Sequence, residues 1–361
     1  MRVVICWAKI AGYTAACWRA LAARPGIDLR VLAFVDDNIE QAFAPEVLHG
    51  VSCQLLSPQE RNDPDRVRSL VLEQQPDALI LCGWFHPPYV KLAFHPALSK
   101  ARKLMVMDTP WRGGLRQQLA KLRLRRYLER MDYIFVAGER SWQYARRLGV
   151  AEARIRRGMN ACDFPIFAAA IERRRAAPQW PRKFLYTGRY VREKGLDTLL
   201  EGYARYRRRV SDPWPLTCCG KGPLRSMLIS AAGVEDRGFV QPSDLPDVMA
   251  EHGAFVLTSR SEPWGVVIAE ASAAGLPIIC TEAVGASVEL VRSYFNGLTV
   301  ATDDPPSLAA ALQWMHEHPE RLPGLGRQGH HLAAAFSAEM WAQRWFEALT
   351  SGSVNPSQSS Q

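Results

Sequence analysis

No stretch of the sequence approaches the ~18 to 20 consecutive apolar residues that a bilayer-spanning helix needs, so a helical membrane span is not expected. CxxC pairs and paired-histidine spacings are also missing. The eight cysteines, Cys6, Cys17, Cys53, Cys82, Cys162, Cys218, Cys219 and Cys280, lie scattered in apolar runs and read as buried thiols rather than metal ligands or disulfides. No GxGxxG follows a strand-like run: "GKGPLR" ends on Arg225, which argues against a nicotinamide-dependent oxidoreductase. An aromatic platform with a recognisable nucleic-acid motif is lacking, so nucleic acid is not an expected partner. The opening "MRVVICWAKIAGY" lacks the layout of a secretory leader, and the chain is expected in the cytoplasm. Acidic residues are the scarcer charge, 36 against 45 Lys and Arg, and the net +9 suits anionic partners such as nucleotides or phospholipid surfaces.

Short apolar runs of the kind a doubly buried parallel strand requires are plentiful. "RVVICW" (2–7), "LRVLAFV" (29–35), "DALILCGWF" (77–85), "KLMVMD" (103–108) and "YIFVAG" (133–138) alternate with amphipathic stretches such as 14–24, 63–75 and 115–131. A Pro-, Arg- and Ala-rich segment, "PIFAAAIERRRAAPQWP" (165–181), has no strand pattern and reads as a connector. The alternation then restarts with "KFLYTG" (183–188), "PLTCCG" (215–220), "DRGFV" (236–240), "GAFVLTS" (253–259), "LPIICT" (276–281) and "GLTV" (297–300). The expectation is an α/β protein of two doubly wound domains, 1–165 and 182–336, with a linker at 166–181 and the ligand cleft between the domains. A last helix, 337–350, precedes a disordered-looking tail, 351–361.

The chemistry concentrates in "SEPWGVVIAEASAAGLPII" (261–279), where Glu262 and Glu270 stand in an otherwise apolar or small segment. An unpartnered buried carboxylate is costly, so stability alone does not explain them. The run 253–259 ends in a turn before a helix that opens near Gly265, and ligands of open α/β sheets bind outside the carboxyl ends of strands. The N–H groups of Trp264, Gly265 and Val266, with the positive end of the helix dipole, form an anion site suited to a diphosphate. Glu270 lies five residues further, roughly 7.5 Å along the helix and about the step from a pyrophosphate to a ribose. Alternatively, Glu262 complements the helix dipole and Glu270 pairs with an arginine. In "TGRYVREKGLDTLLEGY" (187–203), Arg189 and Lys194 leave the sheet at the same edge and would stabilise the negative charge of a departing diphosphate without a metal ion.

These segments resemble the retaining glycosyltransferases of the GT4 family. The 261–279 segment matches its E-x7-E pattern, 187–203 its G-R-x4-K-G pattern, "CGKGPL" (219–224) its glycine turn, and 238–260 and 284–300 the runs on either side of E-x7-E. The resemblance implies the GT-B fold, two Rossmann-like domains facing across a cleft, with a C-terminal helix crossing back to the first domain. It implies a hexosyl-type transfer with retention and no metal, from a UDP- or GDP-sugar donor, with no tightly bound cofactor. Arg189 and Lys194 are implied on the donor diphosphate, Glu262 on the transferred sugar and Glu270 on the ribose. Gly188, Gly220, Lys221 and Val240 would lie near the nucleotide, and Gly12 against the donor phosphates. Where the family frequently has a histidine after the 103–107 strand, this chain has Asp108. That carboxylate either accepts a hydroxyl bond or orients the acceptor, or else caps a turn before Pro110; His86, ending the preceding strand, is a second candidate.

Six basic residues of "LRQQLAKLRLRRYLERM" (115–131), Arg116, Lys121, Arg123, Arg125, Arg126 and Arg130, stand against one acidic residue, Glu129, with leucines among them. The helix either rests on an anionic membrane, where lipid-linked or polysaccharide-precursor acceptors are found, or is solvated and packs its leucines on the sheet. The membrane alternative would place the protein at the inner face of the cytoplasmic membrane. Rival functions are an inactive nucleotide-sugar-binding protein of the same fold, and an epimerase or phosphorylase.

Overall fold

The computed structural model describes residues 1–35, 45–176 and 179–351. The chain forms two compact units, Met1–Ala161 with Ala338–Gln361, and Cys162–Ser337. Of the tail read at 351–361, all but Ser351 lies outside the described residues.

The first unit is built on seven parallel strands: β1 (Arg2–Cys6), β2 (Asp28–Phe34), β3 (Cys53–Leu56), β4 (Ala78–Leu81), β5 (Arg102–Met107), β6 (Tyr133–Val136) and β7 (Ile155–Arg157), in the order β3-β2-β1-β4-β5-β6-β7. The central strands β4 and β6 are buried at every position, as continuous apolar runs demand. The edge strands β3 and β7 are short and partly exposed, so they carry no such run in the sequence. The C-terminal helix Ala338–Thr350 completes this unit's core. Its Trp345 stacks on Phe135 of β6 with ring centroids 3.9 Å apart, and the indole of Trp341 donates to the Met159 carbonyl at 2.8 Å.

The second unit carries six parallel strands: β8 (Phe184–Thr187), β9 (Leu216–Cys219), β10 (Val234–Gly238), β11 (Ala254–Leu257), β12 (Ile278–Thr281) and β13 (Gly297–Val300), in the order β10-β9-β8-β11-β12-β13. Strand β10 lies two residues earlier than the run 236–240 suggests, because Val234 and Glu235 pair with Leu216 and Thr217 while Phe239 and Val240 lie beyond its end.

The segment read as a connector differs from that expectation: Phe164–Arg175 is a helix of this unit, started by Pro165 within its first turn and burying Phe167, Ala170 and Arg174. The Arg174 guanidinium donates to the carbonyls of Met249, His252 and Ala274 at 2.7, 3.1 and 2.8 Å, satisfying the carboxyl ends of helices Leu245–Ala250 and Val266–Ala273. A Pro-, Arg- and Ala-rich composition read as a connector, but one of these arginines is a buried cap. None of the cysteines is joined in a disulfide, and all but Cys53 are buried.

Candidate functional site

Each sheet reverses its strand order once, between β1 and β4 in the first unit and between β8 and β11 in the second. In an open parallel sheet that reversal opens a crevice at the carboxyl ends of the two strands. The sequence places its glycine-rich and charged loops at these ends in both units.

In the second unit the loops after β8 and β11 are locked together by backbone contacts. The Arg260 N–H donates to the Glu193 carbonyl at 2.8 Å, and the Thr258 hydroxyl donates to the carbonyls of Gly195 and Lys194 at 2.9 and 3.2 Å. Gly195 sits at φ +64°, and a Cβ there would stand 2.1 Å from the Thr258 carbonyl oxygen, so only glycine permits the approach. The Arg260 guanidinium closes the junction, donating to Asp197 at 2.7 and 2.8 Å, to Asp303 at 2.6 Å and to the Arg192 carbonyl at 2.9 Å. As a result the Lys194 ammonium donates to the Glu262 carboxylate, each side chain only 15% exposed. Two residues 68 apart in sequence thus form a partly buried ion pair at the switch point.

Around this pair lie hydrogen-bonding groups that the protein leaves unused. Helix Val266–Ala273 opens on Gly265 at φ +90°, and the N–H groups of Trp264, Gly265 and Val266 make no backbone hydrogen bond among the described residues. Buried beside the same sheet edge, Thr187 Oγ1, Ser259 Oγ and Trp264 Nε1 have no hydrogen-bond partner among the described residues. Unmet donors together with a helix start are the composition of an anion site. Arg189 follows Gly188 directly after β8 and is exposed, whereas Lys194 is held. The turn after β9 packs against this loop: Gly220 takes a 2.7 Å bond with the Gly238 carbonyl, and the Lys221 carbonyl accepts from the Tyr190 N–H at 2.8 Å. A Cβ on Gly220 would come within 2.0 Å of the Gly188 carbonyl oxygen. Val240 is half-buried two residues past β10. Tyr190 also donates its hydroxyl to Asp236 at 2.9 Å. Burial works against the charge of Asp236, but Arg225, the Gly238 N–H and Tyr190 together hold its carboxyl below the usual range.

Glu270 lies one turn into the helix and is half-buried. Burial, with a smaller contribution from the Asp163 carboxylate, pushes its carboxyl up to about 7. It has no arginine partner among the described residues, which removes the pairing alternative. Glu262 is the one of the two that pairs, with Lys194 rather than with the helix dipole alone.

Gly12 and Asp108 belong to the first unit. Gly12 is the first residue of helix Gly12–Ala22 rather than part of a loop, because Thr14 Oγ1 accepts from the Ala11 N–H at 2.9 Å and starts the helix early. Asp108 is exposed just past β5 and lines a cavity of 370 Å³ with Trp7, Lys9, Tyr13, Trp84, Phe85 and Thr109, at the β1/β4 switch point. His86 does not line it: its ring packs edge-on to Phe34 and Tyr89 and meets the Arg61 carbonyl at 2.8 Å, and burial lowers its pKa. The sequence reading missed Arg260, Asp197 and Asp303. Their only signal is the position of Arg260 two residues before Glu262, and nothing in the sequence joins it to the two aspartates.

Residues 169–331, nearly all of the second unit, match the family described as glycosyl transferases group 1. Over 179 residues the chain is 32% identical to the glycogen synthase of Mycobacterium tuberculosis, a match covering 47% of this chain and 41% of that protein. It is 30% identical over 158 residues to the alpha-D-kanosaminyltransferase of Streptomyces kanamyceticus, covering 42% and 40% of the two. The chain thus spans about two fifths of the length of these curated relatives. Among solved structures, HepE of Anabaena, crystallised with UDP, superposes with a TM-score of 0.74 at 17% identity, covering 97% of this chain and all of that one. Sucrose-phosphate synthase of Thermosynechococcus elongatus gives 0.71 at 18%, covering 96% and 98%. The fold is the two-domain α/β GT-B fold.

Proposed function

We propose that this chain, whose second unit matches the group 1 glycosyltransferases, moves a sugar from a nucleoside-diphosphate sugar to an acceptor hydroxyl with retention at the anomeric carbon. The observation that carries the reading is the Lys194–Glu262 pair at the switch point, beside the open helix start at residues 264–266. Lys194, Arg189 and those N–H groups receive the diphosphate. Glu262, bound to Lys194 through one oxygen, offers its other oxygen to a hydroxyl of the transferred sugar. Glu270 takes the ribose hydroxyls, with Gly188, Gly220, Lys221 and Val240 along the nucleotide. The UDP held by the Anabaena neighbour supports a nucleoside-diphosphate donor, and a UDP- or GDP-sugar is the donor proposed.

The bond from the anomeric carbon to the diphosphate oxygen breaks through an oxocarbenium-like state, and the acceptor oxygen bonds the same face of that carbon. The acceptor proton passes to the departing phosphate oxygen, so no enzyme nucleophile is needed. Two cations and a helix start take the developing charge, a role that requires no metal ion. The acceptor is a glycan or lipid-linked glycan entering the 370 Å³ cavity beside Asp108, which accepts a bond from the acceptor hydroxyl and orients it. A panel of UDP-, GDP- and ADP-sugars tests this by thermal shift and by product analysis with a glycan acceptor. The reading expects one base to raise the Tm, and its sugar to leave only when acceptor is present. No stabilisation by any member, or sugar isomerised without acceptor, would overturn it.

A further inference from the structure

Three of the leucines of the helix Leu115–Leu128 do not pack on the sheet. Leu115, Leu119 and Leu122 are 77%, 66% and 75% exposed, while Ala120, Leu124, Tyr127 and Leu128 turn inward against the core. At 100° per residue the three exposed leucines fall within about 60° of arc. Arg116 and Arg123 run along one side of this stripe and Arg126 continues it, while Arg125 on the other side is paired with Glu129 at 2.9 Å. The helix thus carries one apolar face that the fold uses and a second, opposite face that it does not, bordered by cations.

We propose that this second face docks the first unit onto an anionic lipid surface, the leucines entering the acyl boundary and the arginines beside them meeting the lipid phosphates. The cationic border selects this occupant: it complements a negatively charged surface and would repel the same face of a second copy. Among the described residues no helix is long and apolar enough to cross a membrane, so the contact is interfacial.

The helix is tied to the rim of the 370 Å³ cavity at both ends. The Gln117 side chain donates to the Pro110 carbonyl at 2.8 Å and accepts from the Arg112 N–H at 2.7 Å, just past Asp108 and Thr109. Near its other end the Tyr127 hydroxyl donates to the carbonyl of Gly83, a cavity residue, at 2.8 Å. Docking the leucine face therefore brings the cavity mouth, with Phe85 65% exposed beside it, to the lipid surface. The acceptor class that follows is a sugar or alcohol carried on a lipid anchor, an inference that rests on the glycosyl-transfer reading for the use of that cavity.

Co-sedimentation of the full chain with vesicles of phosphatidylcholine alone, or with 30% phosphatidylglycerol, tests the docking at about 0.1 M salt. The anionic vesicles should bind at least tenfold more strongly. Leu115→Ser/Leu119→Ser/Leu122→Ser should lose at least tenfold, as should Arg116→Gln/Arg123→Gln/Arg126→Gln. Because these side chains are exposed, the melting curve of each variant should match the wild type. Equal binding to both vesicles, binding unchanged in the leucine variant, or a wild-type dimer on gel filtration that the leucine variant abolishes would overturn the proposal. Nucleotide-sugar binding measured on the same samples separates the two readings: its absence with vesicle binding intact removes the transferase assignment, and the reverse removes the docking surface.

Discussion

A carboxyl held near pH 7 and an ion pair set the behaviour of the site. Because Glu270 rests at about 7, above the ordinary ~4.3 of a glutamate, the folded protein keeps a proton that the unfolded chain releases between those values. The stability this provides is complete below about pH 4.5 and lost as pH rises through 7. Glu270→Gln should therefore melt higher than the wild type at pH 8, by on the order of 1 to 3 kcal/mol, and equal it near pH 4.5. If Glu270 takes the ribose hydroxyls as proposed, it must do so as the carboxylate, so nucleotide binding should release a proton and weaken by up to about tenfold per pH unit below 7. Titration calorimetry at pH 6, 7 and 8 checks this, with a weaker and flat profile expected for Glu270→Gln. Lys194→Ala strands the partly buried Glu262 without its cation, so it should lower stability as well as turnover. Lys194→Arg restoring stability but not rate would separate the two losses.

At the scale of elements, two loops and one glycine decide whether the site exists. Gly195→Ala forces a Cβ against the Thr258 carbonyl in a left-handed conformation, and should cost about 2 to 4 kcal/mol in urea denaturation while lowering nucleotide affinity, because the same turn carries Lys194. The central strands were legible in the sequence because parallel strands buried on both faces leave unbroken apolar runs, as in β4 and β11. β3 and β7 were not, since only one residue of each is fully buried and so neither leaves an apolar run. The motif residues after β8 and β11 were legible because glycine and charge interrupt apolar context there. Their clamp was not: Arg260 meets Asp197 and Asp303 only through tertiary structure, and exposed arginines are common enough in this chain to hide one that is engaged. The helix at Phe164–Arg175 was hidden for the same reason, its capping Arg174 standing in a run of three arginines.

For the whole molecule, the last helix returns to the first unit, so that unit is closed by residues from both ends of the chain. Trp345→Ala should remove the stack on Phe135 and cost about 3 to 5 kcal/mol, seen as an earlier loss of near-ultraviolet circular dichroism in urea. The group 1 match and the ion pair both fall in the second unit, and there the account is most exposed to test. The decisive measurement is titration calorimetry of the stabilising nucleotide sugar against the wild type and the Arg189→Ala/Lys194→Ala double variant, each first shown to be folded. The account predicts one site per chain, with affinity in the double variant reduced by at least a hundredfold. Equal affinity in the two proteins would contradict it.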